Sequence, residues 1–170
     1  YEGRTHECLK NQPREIERIE GVHIIHHADG KNRKDKFIRD KILLHQDLES
    51  DYNPRTVFYL GQTYECLGDV YTASYYYKER MSMKNTWDEE RYIAALRLGR
   101  IKNDIGILFE AMSIRPQRLE ALYEILWRLR HKSLHHAVYS LASNAMLTSA
   151  EGLTDRLFVE EWVWRYGIKY

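Results

Sequence analysis

The chain has 170 residues, enough for one compact unit or a short array of repeats. Lysine and arginine number 26 against 25 acidic residues, a balance that argues against a nucleic-acid-binding protein, whose surface is usually strongly basic. No apolar run reaches the roughly 18 residues that a membrane-spanning helix needs. The two cysteines, Cys8 and Cys66, have neither zinc-site nor disulfide-framework spacing. We therefore expect a cytoplasmic protein without a transmembrane segment and without a nucleic-acid partner.

Residues 1–36 differ from the rest of the chain because they show no helical period. They contain several glycines, Pro13 and a short run of β-type residues at 22–26. This pattern predicts β or irregular structure, with two strand-like elements separated by a polar segment. The chain begins at Tyr1 rather than methionine, so we also expect a piece of a longer protein.

From Lys36 onward the pattern is helical. A one-sided, mostly apolar stripe predicts a first helix that ends before the break at residues 51–54. The stripe consists of Phe37, Ile38, Lys41, Leu44 and Leu48.

Residues 54–84 have the pattern of one complete helix–turn–helix repeat. Small residues at Gly61 and Ala73 predict a close crossing of two helices, and Gly68 predicts a left-handed residue at the end of the first helix. Large, small and aromatic residues follow the order of a 34-residue tetratricopeptide repeat (TPR). Counted from Pro54, these are Leu60 at position 7, Gly61 at 8, Tyr64 at 11, Gly68 at 15, Tyr71 at 18, Ala73 at 20 and Tyr77 at 24.

A second and a third repeat follow. The second begins near residues 85–90, with Thr86 or Asp88 as the expected N-cap. Its second helix is predicted over about residues 104–114, and two breaks compete for the preceding turn: Gly99 and residues 102–104. The third repeat spans residues 119–145, with its turn near Lys132-Ser133, and residues 153–170 predict a final amphipathic helix that caps the array.

Several clusters of polar residues are candidates for chemistry. His6 and Glu7 are neighbours that would point to opposite faces of a strand, so they would not form a catalytic dyad by themselves. An ordinary pair of polar residues at the end of a strand would explain them as well. His27 and Asp29 lie in a tight turn that suits a divalent metal or a phosphate, or is simply a polar strand exit. The cations that follow can hold a pyrophosphate or form a solvated face: Lys31, Arg33, Lys34 and Lys36.

Two further groups favour structural explanations. His131 and His135 would share a helix face only if no turn separated them, so metal binding there is disfavoured. Tyr71, Tyr75 and Tyr76 could line a groove for a sugar or peptide, although packing between repeats explains them as well.

Six motifs in a fixed order carry a family resemblance. The chain resembles the C-terminal half of family 2-type glycosyltransferases in which a GT-A catalytic domain is followed by TPR-like helices. The likeness covers essentially the whole chain. The motifs are RTHECL, IHHADGKNRKDKFIRDKILL, NPRTVFYLGQTYECLGD, WDEERY, RPQRLEALYEI and DRLFVEEWVWRYGI.

The resemblance implies roles for individual residues. Glu7 matches the general base that deprotonates the acceptor hydroxyl, with His6 beside it in the active site. His27 matches a turn that closes over the donor and would contact metal or diphosphate. Asp29, Arg33 and Lys36 would then bind the donor. A further set, Asp35, Lys36, Phe37, Arg39 and Asp40, matches the family's link from this turn to the first helix.

The expected fold is therefore mostly α: a TPR-like solenoid of antiparallel helix pairs preceded by a short β or irregular tail of a GT-A domain. Residues 1–36 would be that tail, and residues 37–170 the repeats with their capping helix. The resemblance implies a nucleotide-sugar donor, a glycan or protein acceptor, and manganese or magnesium bound mainly by a preceding half. The chain alone should then be inactive. The alternative is a non-catalytic TPR module that binds a peptide or protein.

Overall fold

The computed structural model describes residues 3–6, 21–22, 25, 33–145 and 154–168, and it is mostly helical. In this part of the chain none of the residues belongs to a strand, and none of the helices combines the length and apolar character needed to cross a membrane. The helices are α1 (Arg33–Ser50), α2 (Pro54–Cys66), α3 (Val70–Ser82), α4 (Asp88–Lys102), α5 (Ile105–Ile114), α6 (Glu120–His131), α7 (His135–Ala145) and a π-helical segment (Val163–Gly167).

From α1 to α7 each helix packs against the next one along the chain, and the π-helical segment packs against α6. In addition, α2 contacts α4 and α4 contacts α6, so the first helices of successive pairs lie side by side. The main core lies between these elements and includes Phe58, Tyr77 and Tyr92, all fully buried. The predicted mostly helical fold is confirmed, and its packing order is that of a helical solenoid.

The crossing of α2 and α3 is as close as the small residues predict. Asn53 caps α2 by accepting from the Thr56 amide, and Gly68, with φ of +82°, ends the helix in the left-handed region. A Cβ atom on Gly61 would lie 2.7 Å from Cδ1 of Tyr77. The aromatic ring of Tyr77 therefore occupies the space that any larger residue at position 61 would need.

Replacing Gly61 with alanine should lower the free energy of unfolding by about 1–3 kcal/mol, because overpacking a tight contact has that cost. The matched control is Gly106→Ala on the exposed start of α5, where a new Cβ would approach only the Asp104 carboxylate, at 3.1 Å. Denaturant unfolding of both variants measures the difference. Combining Gly61→Ala with Tyr77→Leu should recover part of the loss, whereas strictly additive effects would argue against the contact.

The second helix pair, α4 and α5, shows which of the two predicted breaks separates its helices. Gly99 lies inside α4 against Leu108, and the helix instead ends at Asn103, which is left-handed with φ of +51°. The predicted N-caps of α4 are wrong: Trp87 occupies that position without a side-chain cap bond. The Thr86 hydroxyl is otherwise engaged, since it donates to the Met83 carbonyl and accepts from Arg80.

The predicted final helix over residues 153–170 is also wrong in extent. Residues 154–160 are non-helical, and within the described residues 154–168 helical structure covers only residues 161–167. Residues 155–160, which we call the strap, have backbone groups bonded to side chains of Glu89, Arg118 and Glu120. These tertiary hydrogen bonds replace those of a helix, so apolar periodicity overestimates the helix here.

Two expectations for the N-terminal half need correction. Residues 3–6 form a bend rather than a strand, and Val22 and Ile25 lie outside any strand, with side chains 64% and 75% exposed. In α1 the buried stripe runs through Asp40 and Leu44, while Ile38 is exposed. The helix begins at Arg33, three residues before the predicted start.

Candidate functional site

A cleft of about 390 Å³ lies where the N-terminal residues 3–6 meet the end of α1 and the start of α2. Each of the three segments supplies polar groups to its wall. Its lining includes His6, Asp47, Asp51, Asn53, Arg55 and Tyr59. This mixture of one aromatic face, two carboxylates and a guanidinium suits a small polar ligand.

Residues 3–6 are fixed to α1 by charged and polar bonds. The Arg4 amide donates to Asp47 Oδ2 at 2.8 Å, and Arg4 Nε lies 3.0 Å from Asp47 Oδ1. The Thr5 hydroxyl donates to Asp40 Oδ1 at 3.4 Å. Two successive residues are thus held by carboxylates that lie seven residues apart on α1, which fixes the direction in which the chain leaves residue 6.

His6 is held against α2 by stacking and by a backbone bond. Its ring stacks on Tyr59 with centroids 3.9 Å apart and planes at 7°. Arg55 lies over the same tyrosine ring, 5.0 Å from the centroid, and donates from Nη2 to the His6 carbonyl at 3.1 Å. His6 has φ of +54°, a left-handed conformation that is uncommon for a residue with a side chain. These contacts hold a strained backbone at the wall of the cleft.

Arg55 connects the cleft to a buried ion pair. Its Nη1 lies 3.6 Å from Glu90, whose other carboxylate oxygen bonds Arg80 at 3.1 Å and 3.2 Å. Burial raises the pKa of Glu90 and outweighs the opposing charges of Arg80 and Arg55. Burial likewise lowers the pKa of Arg80. The pair is therefore costly to desolvate, and Arg55 is the link through which it reaches the cleft wall.

Asp40 is a candidate residue that the family resemblance places only in the link to the first helix. Its side chain is 1% exposed, Arg39 lies 3.5 Å from one oxygen, and Oδ2 has no hydrogen-bond partner. Asp40 lies four residues before the buried Leu44 and therefore on the apolar face of α1. An acidic residue at such a position is unusual, and this is the feature of the sequence that indicates a special role for Asp40. Asp47, Arg55 and Tyr59 carry no comparable sequence signal, because their role depends on which segment docks beside them.

The predicted site residues are only partly within the described residues. His6 lines the cleft, whereas Glu7, His27 and Asp29 lie outside the described residues. Arg33 and Lys36 are in the first turn of α1, where Lys36 is exposed. Lys36 does not line the cleft.

A turn separates two of the C-terminal histidines. Ser133, with φ of +58°, lies in the turn between α6 and α7 and separates His131 from His135. His131 Nδ1 lies 2.7 Å from the Trp127 carbonyl oxygen. Across the described ranges there is no group of three or more His, Cys, Asp or Glu side chains that could hold a metal ion.

The chain matches no protein-family model, no curated protein and no solved structure. The motifs of the sequence and the geometry of the cleft are therefore what a functional proposal has to rest on.

Proposed function

We propose that the chain is the C-terminal part of a metal-dependent glycosyltransferase, which transfers a sugar from a nucleotide-sugar donor to the hydroxyl of a glycan or protein acceptor. The observation that carries this proposal is the docking of residues 3–6 at the cleft. The predicted catalytic pair begins at His6, and His6 is the residue that the Tyr59 ring and Arg55 hold in a left-handed conformation. Strained residues held by their surroundings are concentrated at functional sites.

The chemistry proposed for this cleft is the activation of an acceptor hydroxyl. Glu7 would follow directly from the fixed His6 backbone and take the hydroxyl proton as a general base. An acceptor sugar would donate hydrogen bonds to the carboxylates of Asp47 and Asp51. The Asn53 amide could accept from the sugar or donate to it. Asp47 already accepts a hydrogen bond from the Arg4 amide, so it would orient the acceptor and the N-terminal segment together.

On the donor side we propose His27, Asp29, Arg33 and Lys36. A bound divalent metal would stabilise negative charge on the leaving diphosphate. His27 and Asp29 offer the nitrogen and oxygen ligands that manganese or magnesium accepts, and Arg33 and Lys36 offer cations for phosphate. Arg33 and Lys36 both belong to the first turn of α1, so the donor would approach from that end of the helix.

The alternative function, a non-catalytic TPR module, needs an open face on the repeats. The strap lies across α4 and α6, on the face where such a module would bind its partner. The strained His6 ahead of the first helix also favours the enzyme, in which it would position the adjacent catalytic base. We therefore retain the glycosyltransferase as the proposed function.

The test uses the intact enzyme, with its donor half, incubated with a panel of nucleotide sugars, acceptor glycans and manganese. Release of nucleoside diphosphate and mass increase of the acceptor measure transfer. Tyr59→Leu is expected to lower kcat/KM by about 10–100-fold, since misplacing a positioned group by about 1 Å costs up to that much. Removing divalent cations with a chelator should abolish transfer.

The matched control is Tyr139→Leu, which changes a tyrosine 76% exposed on α7. It should leave kcat/KM unchanged. Melting temperatures of both variants separate a lost site from a lost fold, because Tyr59 also packs against the core. Equal activity of the two variants would count against a role of the cleft, and absence of transfer for every donor would remove the proposal itself.

A further inference from the structure

The strap lies across the face formed by the first helices of successive pairs. Phe158 approaches Phe58 on α2, with ring centroids 6.5 Å apart, and also packs on Arg97 of α4, whose guanidinium lies 5.1 Å from the ring. At the other end, Glu160 pairs with Arg100 of α4 at 2.8 Å. One short, non-helical segment therefore contacts two stacked helices and reaches toward a third.

Charged side chains of the helical array bind the backbone of the strap. Glu89 Oε2 accepts from the amides of Arg156 and Leu157 at 2.8 Å and 2.7 Å. Arg118 donates to the carbonyls of Leu157 and Phe158 at 3.1 Å and 3.3 Å. Binding of backbone groups in this way does not depend on the side chains of the bound segment, and main-chain hydrogen bonds of this kind contribute affinity in peptide recognition.

The side chains of the strap add anchors at fixed spacing. The Asp155 side chain is fully buried and pairs with both Arg115 and Arg118. Leu157 packs against the main core. Phe158 is 44% exposed but lays its ring beside Phe58 and Arg97. The order of contacting residues is therefore acid, any residue, aliphatic, aromatic. Phe158 has φ of +48°, so this backbone conformation is imposed by the groove rather than preferred by the residue.

We infer that this face of the helical array is a binding groove for a peptide that turns at its Leu-Phe pair and has the order Asp-x-Leu-Phe, and that residues 155–160 occupy it as an intramolecular ligand. Arg118 is fully buried beneath the strap. Removing the strap would leave the guanidinium hydrogens that bind its carbonyls without partners, which is costly for a buried charge. The groove is therefore filled, either by this segment or by a peptide of the same chemistry.

Hydrogen exchange of the unmodified chain tests whether the groove is occupied. The amides of residues 156, 157 and 160 should exchange at least tenfold more slowly than in an unstructured peptide of the same sequence. Glu89→Ala should remove the protection at 156 and 157 and leave α5 unchanged. Glu110→Ala, on an exposed position of α5, is the matched control. Unprotected amides at 156 and 157 in the unmodified chain would overturn the inference.

A labelled peptide of residues 154–161, TDRLFVEE, tests the specificity of the groove in the full chain. Asp155→Ala with Phe158→Ala loosens the strap and leaves the groove residues intact. This variant should bind the peptide at least tenfold more tightly than the unmodified chain. In the unmodified chain the peptide can bind only the small fraction of molecules whose strap has left the groove, and its apparent affinity is reduced by that fraction. Glu161→Ala, a change of an exposed acid beyond the strap, should behave like the unmodified chain.

The same peptide with alanine in place of its aspartate and phenylalanine supplies the specificity control, and it should not bind the loosened variant. An equal response of the loosened variant and the unmodified chain, whether both bind TDRLFVEE or neither does, would overturn the inference. Equal binding of the two peptides would overturn the Asp-x-Leu-Phe order.

Discussion

Replacing Glu120 with alanine should lower the free energy of unfolding by about 3–5 kcal/mol, because it removes the nearest carboxylate from a buried guanidinium and leaves it only Asp155, at 3.5 Å. Arg118 donates from Nε to both Glu120 oxygens, at 2.9 Å and 3.1 Å, and from Nη2 at 2.7 Å. Both side chains are fully buried. The carboxylate also accepts from the Tyr92 hydroxyl at 3.0 Å and from the Glu160 amide at 3.1 Å. One substitution thus removes bonds from α6 to α4, to the loop that precedes α6 and to the C-terminal segment.

The contribution of Glu120 should depend on pH. Burial alone would raise its pKa, but the hydrogen bonds and positive charge of Arg118 outweigh burial and lower it below the ordinary value of 4.5. The folded state therefore holds the proton less tightly than the unfolded state. The stabilisation is fully present above pH 4.5 and is lost as the pH falls from there through the folded-state pKa.

Urea unfolding at pH 7 and at steps below pH 4.5 measures both effects. Glu120→Ala should be strongly destabilised at pH 7 and should lose less further stability on acidification than the unmodified chain does. Glu110→Ala on α5 is the control. The double variant Arg118→Met with Glu120→Leu should recover much of the loss, since a buried ion pair is often replaceable by apolar side chains of similar volume. A loss for Glu120→Ala no larger than for the control would contradict the assignment.

The sequence predicted the helices better than their ends or their tertiary partners. Gly61 and Gly68 have local causes, a close crossing and a left-handed turn, and both were readable from residue type and spacing. The start of α4 could not be predicted in this way. Threonine is a common capping residue, but the Thr86 hydroxyl accepts a hydrogen bond from Arg80 and does not cap the helix. That competition depends on how the turn between α3 and α4 folds, because it brings the Arg80 side chain and the Met83 carbonyl to the Thr86 hydroxyl.

The strap and the cleft show the same limit more strongly. Residues 153–170 have a helical apolar period, yet Glu89 and Arg118 bind the backbone of the strap and prevent a helix there. His6 was predicted from the sequence motif that contains it. The contacts of Tyr59 and Arg55 with His6 depend on the docking of residues 3–6 against α2, which the sequence does not indicate. A buried acid on an apolar helix face, as at Asp40, is the one clue to such docking that a sequence does contain.

Changing Glu7 to glutamine should have the largest effect on catalysis. In the intact enzyme we expect kcat to fall by about 10²–10⁴-fold, the usual contribution of a general base. Glutamine keeps the size and most of the hydrogen bonding of glutamate but cannot accept the proton. The expected reason for this sensitivity is position: His6, immediately before it, is fixed by stacking on Tyr59 and by the bond from Arg55. KM for the donor should change little, because a base acts on the acceptor.

Steady-state kinetics with a fixed donor and varied acceptor measure this effect, and the melting temperature checks the fold. Glu2→Gln, the same change five residues earlier in the chain, is the matched control and should retain normal kcat. A carboxylate that acts as a base also predicts that kcat of the unmodified enzyme falls as the pH drops through the pKa of Glu7, while the residual activity of Glu7→Gln loses that dependence. If Glu7→Gln retained normal kcat with an unchanged pH profile, the base would belong to another residue, and the cleft would serve only to bind the acceptor.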